Sequence, residues 1–253
     1  MAPILRRRDL LDEVEARVIR SVVIVKFFMR GSEVSVTGKR KRETQDTQLV
    51  ARTHYRASTG FIVDSAKGTA LVVVPSPRID PKGGDIVRVF FHGGIIRDAC
   101  VFISKTQHGH MVLEVKNCPA HCPAVTFHTQ TYHRGDVFVL ANRSDSGLNS
   151  YSGTVIHPDT TAYPALDGVR GFSKTKTPRS EEMFTFNLID DSFVDTVGAA
   201  VFDMAGIVAG AISHEDTRSG GGCKITYARH ACYFAPQLLE NIQRQKGKLA
   251  AGK

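Results

Sequence analysis

A chain of 253 residues with 42% apolar and 23% charged residues carries enough apolar side chain for a large buried core, and its composition excludes a disordered protein. The net charge of +8 admits a nucleic-acid or acidic-membrane partner, although much of the excess sits in Arg6–Arg8, Lys39–Arg42 and the tail with Arg244, Lys246, Lys248 and Lys253. No apolar run approaches the roughly 18 residues that cross a bilayer; Met1 leads into Arg6, Arg7 and Arg8 and not into a signal-peptide core, and Cys100, Cys118, Cys122, Cys223 and Cys232 are odd in number and irregularly spaced. These features predict an intracellular chain, cytoplasmic or nuclear, with no disulfide framework and no membrane insertion.

Along the chain, Asp9–Arg20 places Leu10, Leu11, Val14 and Val18 at near-helical spacing and predicts a short amphipathic helix. Ser21–Phe28 is β-branched and aromatic, hence a strand, and the polar, Thr-rich stretch to about His54 is an exposed loop. Short apolar or alternating runs bounded by Gly, Pro, Asn or Asp follow at Thr59–Val63, Thr69–Val74, Asp85–Phe91, Asp98–Ser104, His110–Val115, Ala124–Phe127 and Asp136–Ala141. A second series comprises Ser152–His157, Met183–Leu188, Ala199–Asp203, Gly206–Ser213 and Lys224–Phe234, before a last helix at about Pro236–Gln245. About twelve strands with helices only at the ends predict an all-β fold of antiparallel barrels or sandwiches, not alternating βαβ units. The polar segment Pro158–Glu182 is an intra-domain loop, and no repeat or low-complexity tract is present.

Three segments then resemble one family. Ser58–Asp64 (STGFIVD) with Gly68–Pro75 (GTALVVVP) is similar to the "GSGFIVD…GYILTNAHVV" of the trypsin-like serine proteases, in their HtrA or Deg branch. Arg134–Asn142 (RGDVFVLAN) with Ser152–Ile156 (SGTVI) resembles the "G(D/E)xVxAIGNP…TxGIVS" of that branch, and Asp195–Asp203 (DTVGAAVFD) with Gly206–Gly210 resembles its "GNSGGPLFDxxGxVIG". The resemblance implies a trypsin-like double six-stranded antiparallel β-barrel with short terminal helices: a basic tail to residue 9, a protease-fold domain over 10–243, a first barrel over about 20–142, a second over about 150–235, a C-terminal helix over about 236–245 and a frayed basic tail over 246–253. No trailing PDZ module is visible.

The family needs a hydroxyl nucleophile, an imidazole base and a carboxylate that holds the imidazole. Counting along the motifs puts Pro75 at the base, Cys122 (in CPAVT, against a "DLAVL" strand) at the carboxylate and Val197 at the nucleophile. None of the three side chains can perform the corresponding step. The resemblance therefore implies a degenerate, catalytically inactive member, a pseudoprotease that binds an unknown protein or an extended peptide and needs no cofactor. Thr196, Val197 and Gly198 and the strand Ile225, Thr226, Tyr227, Ala228, Arg229 and His230 are the expected lining of the old cleft. Two alternatives stay open: an active serine endopeptidase whose triad lies elsewhere, and a basic nuclear protein that binds nucleic acid through Lys39, Arg40, Lys41 and Arg42, a localisation-like cluster. The run His108, His110, Cys118, His121, Cys122, His128 and His133 fits no standard zinc spacing, so no metal is expected.

Overall fold

The computed structural model describes residues 7–28, 55–75, 86–106, 108–142, 147–159, 180–189, 196–216 and 225–251. Helix α1 (Arg7–Val18) runs through a 3-10 turn at Ile19–Ser21 into β1 (Val22–Phe28). The first barrel continues with β2 (Tyr55–Ala66), β3 (Thr69–Pro75), β4 (Ile86–Phe90), β5 (Ile96–Ile103) and β6 (His110–Lys116), and closes in the order β1-β2-β3-β6-β5-β4. The second is built from β7 (Asp136–Asn142), β8 (Leu148–His157), β9 (Met183–Ile189), β10 (Ala200–Asp203), β11 (Val208–Asp216) and β12 (Ile225–His230), closing as β10-β11-β12-β9-β8-β7. Helix α2 (Ala231–Ala251) ends the described chain.

Strand alternation explains which runs look alternating and which look continuously apolar. Along β3, Ala70, Val72 and Val74 fill the first barrel, whereas Leu71 and Val73 point out of it into a second apolar cluster between the barrels. Along β7, Val137, Val139 and Ala141 fill the second barrel, and Phe138 and Leu140 join that same intervening cluster. Strands buried on both faces lose the period-2 pattern; β4, with Ile86 and Arg88 facing outward, keeps it. Val14 and Val18 of α1 and Ala231, Phe234, Ala235, Leu238 and Ile242 of α2 complete the intervening cluster.

Four expectations are corrected. Ala124–Phe127 is not a strand: it makes one bridge, Phe127 to Val208, because its backbone is shared between the barrels. Val125 N–H donates to the Ile62 carbonyl of the first barrel (2.8 Å), whereas Val208 N–H donates to the Thr126 carbonyl and His128 N–H to the Val208 carbonyl in the second (2.8 and 2.9 Å). Strand β7 belongs to the second barrel, since its partners are β8 and β10, so the first barrel does not extend to residue 142. The last strand stops at His230 and the helix begins at Ala231, five residues before Pro236, because Ala231, Phe234 and Ala235 continue the buried stripe of Leu238 and Ile242 at helical spacing. The segment expected to be a frayed tail is helical to Ala251, with Lys246 bonded to Asp64 of β2.

Phe234 is fully buried, stacking on His110 at 5.2 Å and on Phe127 at 5.9 Å between ring centroids. Phe234→Ala is expected to cost about 3–5 kcal/mol of unfolding free energy, whereas Leu249→Ala, at a residue 52% exposed, should stay within about 0.5 kcal/mol. Urea midpoints read the difference, and equal effects would mean that α2 does not lock the barrels together.

Candidate functional site

The segment after β9 re-enters the described structure at Thr196, which is buried, and turns at once: Ala199 N–H donates to the Thr196 carbonyl at 2.9 Å. Gly198 takes φ +89°, the left-handed position that a turn of this kind reserves for glycine. Gly198 N–H donates to the Ile212 carbonyl (2.7 Å) and Ile212 N–H to the Ala199 carbonyl (3.0 Å), which seats the turn on β11. Against it stands the last residue of β3. A Cβ placed on Gly198 would fall 2.8 Å from the Pro75 Cβ and closer still to its Cγ and Cδ, so the proline ring packs on the glycine backbone beside Val197. Pro75 and the Thr196–Gly198 turn, expected together from the sequence, are brought together.

Cys122 is not with them. It is 5% exposed and lines a hollow with Ser65, Arg17 and Arg20, while Cys118 N–H donates to the Gly68 carbonyl in the β2–β3 turn. Ser65 pairs with Ala70, five residues from Pro75, so at about 3.3 Å per residue the two ends of β3 are roughly 16 Å apart. The residue facing Pro75 across the ladder is His110, the first residue of β6. The expected strand CPAVT is connector, and the strand that pairs with β3 starts at His110.

His110 is 8% exposed, packs on Phe234, and its Nδ1 is buried without a hydrogen-bond partner among the described residues. Burial first, then neighbouring His108 and Arg229, push its pKa down to about 4, so the ring is neutral at physiological pH. His108 Nδ1 accepts a hydrogen bond from the Arg229 guanidinium, and Arg229 Nε lies 3.7 Å from Glu182 Oε2. Burial and the Arg229 charge also lower the His108 pKa. The cluster joins the start of β6 to β12 and to the 3-10 turn at Ser180–Glu182, and so bridges the barrels. Sequence reading singled out Arg229 but assigned it to the cleft; nothing in the local pattern signals its partner 121 positions away.

Strand β12 lines no open groove among the described residues. It is hydrogen-bonded to β11 on one side and β9 on the other, and Thr226, Tyr227, Ala228 and His230 are buried, with Ile225 and Arg229 partly so. His230 has both ring nitrogens occupied: Nδ1 accepts from Tyr132 N–H (3.1 Å) and Nε2 donates to the Pro158 carbonyl (2.9 Å), with burial lowering its pKa. Among the described residues, the strand edge that is unpaired over part of its length is instead on β11. Strand β10 pairs with it over Val208–Ala211 and the Thr196–Ala199 turn reaches Ile212; from Ser213 to Asp216 its only described neighbour is β12. Lys39–Arg42 and Asp195 lie outside the described residues. The histidine-rich run is dispersed, with His108 on Arg229, His128 on Asp203 (2.9 Å) and His133 on Thr131 (2.6 Å), and no metal-holding group of three or more ligands occurs among the described residues.

Two closed six-stranded antiparallel barrels with terminal helices define a trypsin-like double β-barrel. The solved structure of the serine endoprotease from Yersinia pestis is similar to it, with a TM-score of 0.57 and 18% identity, over 92% of this chain and 66% of that one. The chain thus spans just under two thirds of that protease's length, and a likeness at this identity establishes the fold. No protein-family model and no curated protein matches the chain.

Two outcomes follow from this geometry. Gly198→Ala is expected to destabilise by about 1–3 kcal/mol through clash and strained φ; adding Pro75→Ala should recover the clash but not the strain, and a double-mutant cycle with no coupling would refute the contact. As pH falls below 6.5 the unfolded chain protonates position 110 before the folded chain does, so the stability associated with His110 is complete above pH 6.5 and is lost down to about pH 4. At 1.36 kcal/mol per pH unit that loss is about 3 kcal/mol, and His110→Phe should flatten this part of the urea-stability profile.

Proposed function

We propose that this trypsin-like domain does not hydrolyse peptide bonds and instead binds an extended peptide along the edge of β11 that is unpaired among the described residues. The observation that carries the reading is the Pro75 ring packed on Gly198 beside Val197. Where the resemblance puts a base and a nucleophile, the two meeting segments offer a proline and a valine, and neither can move a proton or attack a carbonyl. His110, opposite Pro75 at the head of β6, takes the place of the carboxylate in this reading, and a buried neutral imidazole cannot hold a second imidazole as an anion would. Triads lose most of their rate when one member goes, and here three are replaced.

The binding half of the reading rests on Ser213–Asp216. A strand with unpaired N–H and C=O groups accepts an extended peptide as an added strand, the main chain giving affinity and neighbouring side chains giving choice. Thr196, Val197 and Gly198 stand at the head of that edge, where the turn's last bond to Ile212 ends.

Purified protein incubated with unfolded fluorescent casein and a serine-hydrolase activity probe is expected to show no cleavage and no labelling, and Val197→Ser alone should remain inactive because no base stands at Pro75. Cleavage by the wild type that disappears on mutating one particular Ser, Thr or Cys would overturn the assignment and identify a nucleophile. For the binding half, peptides selected against the protein should lose at least about tenfold in affinity when N-methylated at alternate residues, in line with roughly 0.5–1.5 kcal/mol per hydrogen bond removed. Affinity that is indifferent to methylation would place binding away from the β11 edge.

A further inference from the structure

At the opposite end of β3 from Pro75, a hollow of about 520 Å³ lies between the C-terminal turn of α1, β2 and the connector that leaves β6. Its wall is formed by Ala16, Arg17 and Arg20, by Ser65, and by Ala120–Ala124, with the buried Cys122 among them. Small side chains at Ala16, Ala120, Pro123 and Ala124 leave the space open, and the volume falls within the range of small-molecule sites.

The polar groups in this wall are of one kind. Arg17, Arg20 and His121 are donors, Ser65 supplies a hydroxyl, and among the described residues no carboxylate lines the hollow. Among the described residues neither Arg20 nor His121 has a hydrogen-bond or ion-pair partner, and Arg17 meets only Glu13 at 3.5 Å, both about half exposed and therefore weakly held. Arginine presents a planar fork of donors that matches phosphate oxygens, and two forks with a hydroxyl and an imidazole, drawn from four separate elements, suit a tetrahedral oxyanion with several acceptor oxygens better than a flat carboxylate with two. The wall is also positioned firmly. Val14 and Val18 anchor α1 in the core between the barrels, and a Cβ on Gly206 would meet Val18 Cγ1 at 3.1 Å, so α1 lies directly on the β10–β11 turn.

We propose that this hollow is a binding site for a small phosphate monoester, held by Arg17 and Arg20 with Ser65 and His121, and independent of the β11 edge. The test is isothermal titration of the full chain at low salt with phenyl phosphate, inorganic phosphate and benzoate, repeated on Arg17→Gln/Arg20→Gln and, as a charge-matched control, on Lys246→Gln/Lys248→Gln. Saturable 1:1 binding of phenyl phosphate is expected, tighter than that of benzoate, weakened at least tenfold in the arginine variant and unchanged in the lysine variant. Circular dichroism of both variants establishes that they are folded. Binding of phenyl phosphate but not inorganic phosphate would assign part of the recognition to the alanine and proline wall. Absence of saturable binding, equal weakening in both variants, or benzoate binding as tightly as phenyl phosphate would overturn the proposal.

Discussion

The placement of the two barrels depends on an apolar core that belongs to neither interior. Phe61, Val63, Leu71, Val73 and Val112 from the outside of the first barrel face Phe138, Leu140, Ala200, Phe202, Val208 and Ala211 from the outside of the second. Two closed barrels packed on each other would leave the flanks of that contact wet. Helices α1 and α2 cover them, the former with Val14 and Val18 and the latter with Phe234, Leu238 and Ile242. Burial of this kind is non-directional, so it sets proximity more than angle. The angle comes from directional contacts, one across this interface and others that fix the connector to the second barrel.

Each of those contacts is local in its chemistry. Asn142 N–H donates to Thr59 Oγ1 at 2.9 Å, joining β7 to β2 in a buried position. Asp203 holds the β10–β11 turn by accepting from Ala205 and Ile207 N–H (2.9 and 2.8 Å) through Oδ1, and its other oxygen takes His128 of the connector. His230 binds Tyr132 of the connector to Pro158 in the second barrel. A buried polar group left unpaired costs more than a paired one returns, so each of these groups disfavours any docking that breaks it. The connector therefore acts as a template, its backbone bonded first to Ile62 and then to Val208.

The sequence showed the fold more clearly than the site, for a physical reason. Strand runs such as ALVVV at Ala70–Val74 carry their signal within a few residues, and so does the glycine-marked turn after Asp203. Pro75 and Val197 are legible as matched positions because each belongs to a long local motif, Gly68–Pro75 and Asp195–Asp203. The Cys122 segment reads as a strand because it is apolar and short, but a strand is defined by its partner, and among the described residues CPAVT has none beyond the Phe127–Val208 bridge that follows it. The β3–β6 register, which brings His110 to Pro75, is a relation between residues 35 apart that composition does not encode. The same holds for β12: its alternation is genuine, but whether its edges are free depends on β9 and β11. For α2, Pro236 suggested a helix start, yet the tertiary stripe from Ala231 onward overrode that local preference.

Each residue that replaces a chemical group in the proposed reading sits where it costs the frame little. Proline lacks an N–H and is confined within sheets to places that need none, and Pro75 is the last residue of its strand. There its ring fills space against Gly198 that a longer, polar side chain would have to share with solvent. Val197 lies in a turn whose geometry is set by the glycine after it and by hydrogen bonds of Gly198, Ala199 and Ile212, all of them main-chain. His110 begins β6 through backbone pairing and stacks on Phe234, a contact that a carboxylate could not make without desolvating its charge. The barrels, the intervening core and the connector hold together through contacts that involve none of these three side chains' chemistry, and the likeness to a serine endoprotease establishes the fold.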